Sequence, residues 1–383
     1  MYYVSRKLGF NWYIGKLTFP KIYNIIKFDF KLLEMEIKIN KKIYFSYKKA
    51  PLIIAEISAN HCGSKKKFLN LIKLAHKNGA DLIKIQTYEP NDIVIKSKDS
   101  KYKIKGGLWH NKYRWDIFKR AQTPYKWHKS AFHLANKIGA TLFSTPFSVR
   151  GVELLEKFNV KLYKISSLEN TDVKLIQTIA KTKKPIIIST GASDFNEIKK
   201  AIKIINKFHN KVVILHCVSK YPTPLNDANL SRIIKLKKNF KKNMIGLSDH
   251  TPTIDTSLAS IPLGVVTIEK HFKESNKNKS VDSAFSILPK DLNQLKEKSF
   301  IYFNATKITD NKETNRADFR SARSKRSIFA HKDILKNEKI NEKNIISLRP
   351  KIGIGAENYF KILGKKVKKN IKKDDPIYFT DIF

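Results

Sequence analysis

From Pro51 onward the chain alternates between short apolar, β-branched runs and longer stretches in which apolar residues recur at helical spacing. The runs are PLIIAEIS (51–58), DLIKIQTY (81–88), TLFSTPFS (141–148), KLYKISS (161–167), PIIIST (185–190), VVILHCV (212–218), MIGLSDH (244–250) and VTIEKHF (266–272). Short apolar runs bounded by polar residues predict buried strands. Stretches such as KKFLNLIKLAHKNGA, DVKLIQTIAKTKK and FNEIKKAIKIINKFHN lie between them and predict amphipathic helices. Eight strands alternating with helices over about 250 residues predict an α/β fold, a (β/α)8 TIM barrel. A doubly wound open sheet competes, but no GxGxxG turn follows the first strand.

The flanks differ from this centre. Residues 1–34 are aromatic and basic without a clear period, and no small-residue cleavage site follows an apolar core. They predict a dispensable extension and no signal peptide, with the barrel domain spanning 35–305. The longest connection, roughly 89–124, follows the second strand and is expected on the C-terminal face, where barrel enzymes build their sites. Residues 306–325 are polar and charged and predict a linker. Residues 326–383 carry short runs and turns (SIFAHKDI, SLRP, GIGAEN, DDPIYF) and predict a small β-rich domain.

Composition narrows the function. The 383 residues carry a net charge of +43, which raises a nucleic-acid or membrane-surface binder. Yet only 10 of the 76 basic residues are Arg, the preferred residue for bidentate phosphate and base contacts. The lysines spread along the whole chain, so a solvated surface with a mild pull on anionic substrates is the better reading. No apolar run approaches a membrane span. Two cysteines, Cys62 and Cys217, give no disulfide framework and fit a reducing, cytoplasmic setting.

Polar residues at strand ends of a barrel converge on one mouth, and almost every run here ends in them. His250 and His271 end consecutive runs one βα unit apart, which sets two imidazoles side by side and suggests a divalent-metal site. A lone His at such a rim is usually a hydrogen-bonder; the matched pair favours metal. Lys84 and Lys164, with Thr145, Ser167, Ser189 and Ser248, suit an anionic ligand bearing phosphate or carboxylate. Lys164 also admits a Schiff-base role, as in a pyruvate-dependent aldolase.

AEISANHCGS, LIKIQTY, FSTPF, LYKISS, IISTG, HCVSKYPTP, GLSDHT and IEKHF occur in the order found in the sialic acid synthase family, which the chain resembles from about Met35 to Phe383. KGGLW (105–109), TPYKWHKSAF (123–132) and VDSAFSILP (281–289) resemble its pseudaminic acid synthase branch. Cys62 and the segment ESNKNKS (274–280) depart from the family pattern. The resemblance implies a barrel followed by an antifreeze-like SAF (β-clip) domain, and an enzyme that condenses phosphoenolpyruvate with an amino sugar. It implies Mn²⁺ or Mg²⁺ on His250 and His271. Lys84, Thr145, Lys164, Ser167, Ser189 and Ser248 would hold phosphoenolpyruvate. Gln86, Tyr221, Glu269 and Asp282 would face the sugar. Glu56, the family's acidic residue at the end of the first strand, would be catalytic and placed for proton transfer, with Lys84 and Lys164 the other catalytic residues, stabilising charge. It further implies a homodimer whose tail caps the partner's barrel with an arginine, Arg326 or, failing that, Arg323. Leu108, Trp109 and Phe285 offer apolar surface for the methyl end of a deoxy sugar.

Overall fold

The computed structural model describes residues 34–277, 279–306 and 321–383. Eight parallel strands close into a barrel: β3 (Leu52–Glu56), β4 (Leu82–Thr87), β5 (Leu142–Pro146), β6 (Tyr163–Ile165), β7 (Ile186–Ser189), β8 (Val212–Cys217), β9 (Met244–Asp249) and β10 (Thr267–His271). Each pairs with the next, and β10 closes on β3 with His271 opposite Glu56. A helix follows every strand, beginning with α1 (Lys65–Lys77) and ending with α9 (Pro289–Thr306). The expected (β/α)8 barrel is therefore the fold.

Strand parity explains both cores. Ile53, Ala55, Ile83, Ile85, Ile186 and Ile188 pack outward against the helix layer. Their alternates Leu52, Ile54, Leu82, Phe143, Leu162 and Ile187 belong to a separate apolar cluster that fills the lower barrel. Two residues further along the same inward rows the chain becomes polar, at Glu56, Lys84, Thr145, Lys164 and Ser189. The barrel is thus greasy at its base and charged at its mouth. Gly246 lets the rows converge: a Cβ there would lie 2.6 Å from Leu215 and 2.7 Å from Thr267.

A feature the sequence pattern did not reveal closes the base. An antiparallel hairpin, β1 (Glu36–Lys38) with β2 (Tyr44–Ser46), inserts Ile37 and Phe45 into the lower cluster. The Tyr47 hydroxyl accepts a hydrogen bond from the Ile245 amide at 2.9 Å. Of the expected extension 1–34, only Glu34 falls among the described residues.

The second unit has its own small core, built on Ile328, Ile334, Ile340, Ile354, Val367 and Ile377. Its one two-stranded sheet among the described residues pairs β11 (Ser327–Ala330) with β12 (Ile345–Leu348). Of the expected linker, residues 307–320 lie outside the described residues. Among the described residues no helix is long and apolar enough to cross a membrane.

Candidate active site

The barrel mouth holds a cavity of about 390 Å³. Of the barrel residues expected to act, Lys84, Gln86, Thr145, Lys164, Ser167, Ser189, Tyr221, Ser248, His250, Glu269, His271 and Asp282 all line it. Glu56 does not. It is 1% exposed and sits beneath Lys84, whose Nζ lies 2.6 Å from Glu56 Oε2.

The charges interlock across the barrel. Glu269 on β10 takes Lys164 at 2.7 Å and Lys84 at 3.3 Å, and it accepts the Ser248 hydroxyl at 3.1 Å. The residue expected to face the sugar thus belongs to the lysine cluster. Burial pushes the Glu269 carboxyl up, but Lys164 and Lys84 outweigh it and hold the group well below the usual range. Burial dominates at Glu56, raising it to about 7 against the pull of Lys84. Burial also opposes the charge on Lys84, yet Glu269 and Glu56 leave its ammonium stabilised. Burial pushes the Lys164 amine below the usual lysine range, against the pull of Glu269. Two lysine side chains thus share one firmly ionised carboxylate beside a Glu56 pushed up toward neutrality, an arrangement an entering anion would complete. The Ser189 hydroxyl is buried with no protein partner and is free to bond a ligand.

Next to this cluster the two imidazoles sit with ring centroids 5.4 Å apart. The His250 Nδ1–H donates to the Val218 carbonyl at 2.8 Å, which fixes the tautomer and leaves Nε2 as a lone pair. His271 Nδ1 is buried without a hydrogen-bond partner. Burial first, then the neighbouring His250, holds His271 well below the ordinary histidine range, so it stays neutral. A neutral imidazole with an unspent nitrogen is what a divalent metal requires, and His271 offers one; at His250 burial pushes the ring down, but the neighbouring Cys217 outweighs it and raises it. Among the described residues no group of three or more His, Cys, Asp or Glu gathers to hold a metal. The protein would therefore supply two nitrogens and leave the remaining positions to water or substrate oxygens.

The far wall is aromatic. Phe285 packs on His271 at 4.8 Å and Tyr221 at 5.1 Å, and Tyr221 lies 4.4 Å from His250. Asp282 accepts the Ala59 amide at 3.1 Å. The long connection supplies Ile104, Trp109, Arg114 and Phe118 to the lining. The apolar trio needs one correction: Leu108 is 51% exposed and outside the cavity lining, because neighbours in the loop point opposite ways. Trp109 lines the wall, but its indole N–H is buried and unpartnered, a polar feature the apolar reading missed. Glu169 and Arg114 also line the mouth without having been expected; Glu169, two residues past Ser167 in the KISSLE stretch, was the more findable.

Arg326 lies in the second unit, where its Nη1 donates to the Ser347 carbonyl at 3.0 Å. Arg323 lies just before it, its carbonyl accepting the Lys351 amide at 3.1 Å.

Comparison with known proteins points the same way as the mouth. Residues 71–313 match the NeuB family and residues 325–382 match the SAF domain. The chain is 39% identical over 336 residues to a pseudaminic acid synthase from Campylobacter jejuni, covering 87% of this chain and 97% of that protein. It is 37% identical over 340 residues to a pseudaminic acid synthase from Helicobacter pylori, covering 87% and 98%. Among solved structures, the N-acetylneuraminic acid (sialic acid) synthetase from Leptospira borgpetersenii superposes with a TM-score of 0.67 at 26% identity, over 75% of this chain and 95% of that one. With a barrel, a lysine-lined mouth and a family match across both, this chain belongs to the NeuB family and carries a C-terminal SAF domain.

Proposed function

We propose that the chain is a pseudaminic acid synthase, condensing phosphoenolpyruvate with 2,4-diacetamido-2,4,6-trideoxy-β-L-altropyranose and water to give pseudaminic acid and phosphate. The observation that carries this reading is one mouth that combines Lys84, Lys164 and an ionised Glu269 with a neighbouring pair of imidazoles. The named pseudaminic acid synthases among its relatives support the choice of sugar.

In this reading Lys84, Thr145, Lys164, Ser167, Ser189 and Ser248 hold the phosphate and carboxylate of phosphoenolpyruvate. Gln86, Tyr221, Glu269 and Asp282 face the sugar, Glu269 also holding the two lysines. C3 of phosphoenolpyruvate attacks the aldehyde carbon of the open-chain sugar, and its oxygen takes up a proton as positive charge develops at C2. Water adds at C2 and loses a proton, and the tetrahedral intermediate expels phosphate by C–O cleavage. The two lysines stabilise the anionic groups throughout, an effect worth most in a buried site. Mn²⁺ or Mg²⁺ held by His250 and His271 would supply Lewis-acid polarisation of the aldehyde oxygen. Phe285 and Tyr221 form an apolar wall against the two imidazoles. Glu56 acts through Lys84.

Glu56 gives a pH signature. Below about 7 its carboxyl is neutral; above, ionisation adds a negative charge beside Lys84 that opposes an incoming anion. KM for phosphoenolpyruvate is expected to rise roughly three- to tenfold from pH 6 to pH 8, in line with loss of one nearby charge interaction. Glu56→Gln, held neutral, should flatten that profile. An unchanged profile in the variant would assign the titration elsewhere.

The same reading makes the enzyme a cytoplasmic homodimer in which each tail caps the partner's barrel and brings Arg326 to it. A tail of this size buries little core of its own, and a polar linker of roughly 20 residues spans tens of ångströms. Mixing Glu56→Ala subunits with Arg326→Ala subunits should restore part of the activity, because one mouth per heterodimer is intact. Heterodimers that form but stay inactive would place the cap within one chain.

The reading as a whole is tested by offering phosphoenolpyruvate with a panel of sugars and weighing the products. The diacetamido trideoxy sugar should give the highest kcat/KM. Preference for N-acetylmannosamine, or for the precursor of legionaminic acid, would move the enzyme to another branch of the family.

A further inference from the structure

Behind the mouth lies a second pair of charges, on the opposite face of the same two strands. Asp249 precedes His250 and Lys270 precedes His271, and the two residues stand opposite each other in the β9–β10 register. Strand parity turns both away from the mouth, and neither lines its cavity. Lys270 is 0% exposed and Asp249 4%. Their ion pair measures 2.9 Å. Lys270 Nζ also donates to the Thr251 carbonyl at 2.5 Å and to the Thr251 hydroxyl at 3.2 Å. The Asp249 carboxylate accepts the Thr251 amide at 2.8 Å and the Ser257 hydroxyl at 2.6 Å.

A buried ion pair is a poor way to gain stability, since apolar residues of similar size often do as well or better; its best-attested use is fixing register. Here the bonds tie the residue before His271 to the residues on both sides of His250. We infer that Asp249 and Lys270 form a clamp that positions the two imidazoles at the spacing a divalent metal needs. Both are positioning residues. This rests on the reading of His250 and His271 as metal ligands, and the clamp adds to it the groups that preset the site before metal arrives.

The test uses full-length, metal-stripped protein titrated with Mn²⁺ by calorimetry, with a thermal melt alongside. In the double variant Asp249→Leu/Lys270→Met both charges leave together, so neither is orphaned. Mn²⁺ affinity is expected to fall about 10–100-fold, as for other supporting contacts of metal ligands. The melting temperature should move by no more than about 5 °C. Affinity within twofold of wild type would overturn the clamp while leaving the ligand assignment intact. Absence of Mn²⁺ binding to the wild type would overturn the ligand assignment and the clamp with it. Should the double variant not fold, Ser257→Ala removes a single contact to Asp249 and is expected to weaken Mn²⁺ about threefold. Unchanged affinity there would also overturn the clamp.

Discussion

Lys164→Met is expected to lower kcat/KM for phosphoenolpyruvate by about 10²–10³-fold, the scale of losing one preorganised charge in a buried site. The reason lies in the shared carboxylate. Lys164 and Lys84 divide Glu269 between them, at 2.7 and 3.3 Å. Without Lys164, Glu269 draws Lys84 toward itself, and the remaining ammonium is spent on the protein instead of the ligand. The fold should weaken too, because removing one member of a buried pair costs about 3–5 kcal/mol. Steady-state kinetics at saturating sugar and a melting curve check both parts. A kinetic loss below tenfold would mean that Lys164 does not touch the anion. The same experiment addresses the aldolase alternative. Burial lowers the Lys164 amine as imine formation would need, while its ion pair with Glu269 opposes it; borohydride with pyruvate should leave the wild type active, and inactivation would favour the aldolase.

Removing metal should have an equally large effect. Chelation with EDTA followed by desalting is expected to abolish turnover, and Mn²⁺ should restore it. His271→Ala should lose activity by more than about 10³-fold, since it would remove one of the two proposed ligands and with it the polarisation a bound metal would supply. His250→Ala should behave alike, because its tautomer is fixed for ligation by the Val218 carbonyl. Full turnover by chelated enzyme would remove the metal from the reaction.

The barrel was readable because strands covered on both faces are apolar at every position, so PIIIST and VVILHCV stand out of the sequence. Most of the mouth was readable for a related reason: parity sends alternate residues inward, and toward the end of most runs an inward residue is polar. The N-terminal hairpin escaped because strands of three residues leave no period to detect. The pairing of Glu269 with Lys84 on β4 and Lys164 on β6 was not legible, because spacing along one strand carries no information about the opposite wall. Glu56 ends its strand on the inward row, as expected, but Lys84 covers it, a matter of side-chain length. In the 89–124 connection Leu108 and Trp109 are sequence neighbours with opposite fates, which loop geometry alone decides.

Phosphoenolpyruvate is expected to be consumed by carbon–carbon bond formation with C–O cleavage, and one isotope measurement tests this directly. Phosphoenolpyruvate carrying ¹⁸O in the bridge between C2 and phosphorus is incubated with the diacetamido trideoxy sugar and the full-length enzyme, and both products are weighed. The label should appear in inorganic phosphate, with a nonulosonic acid of unlabelled C2 oxygen formed in equal amount. Label retained in the sugar acid, or product formed from pyruvate but not from phosphoenolpyruvate, would contradict the account.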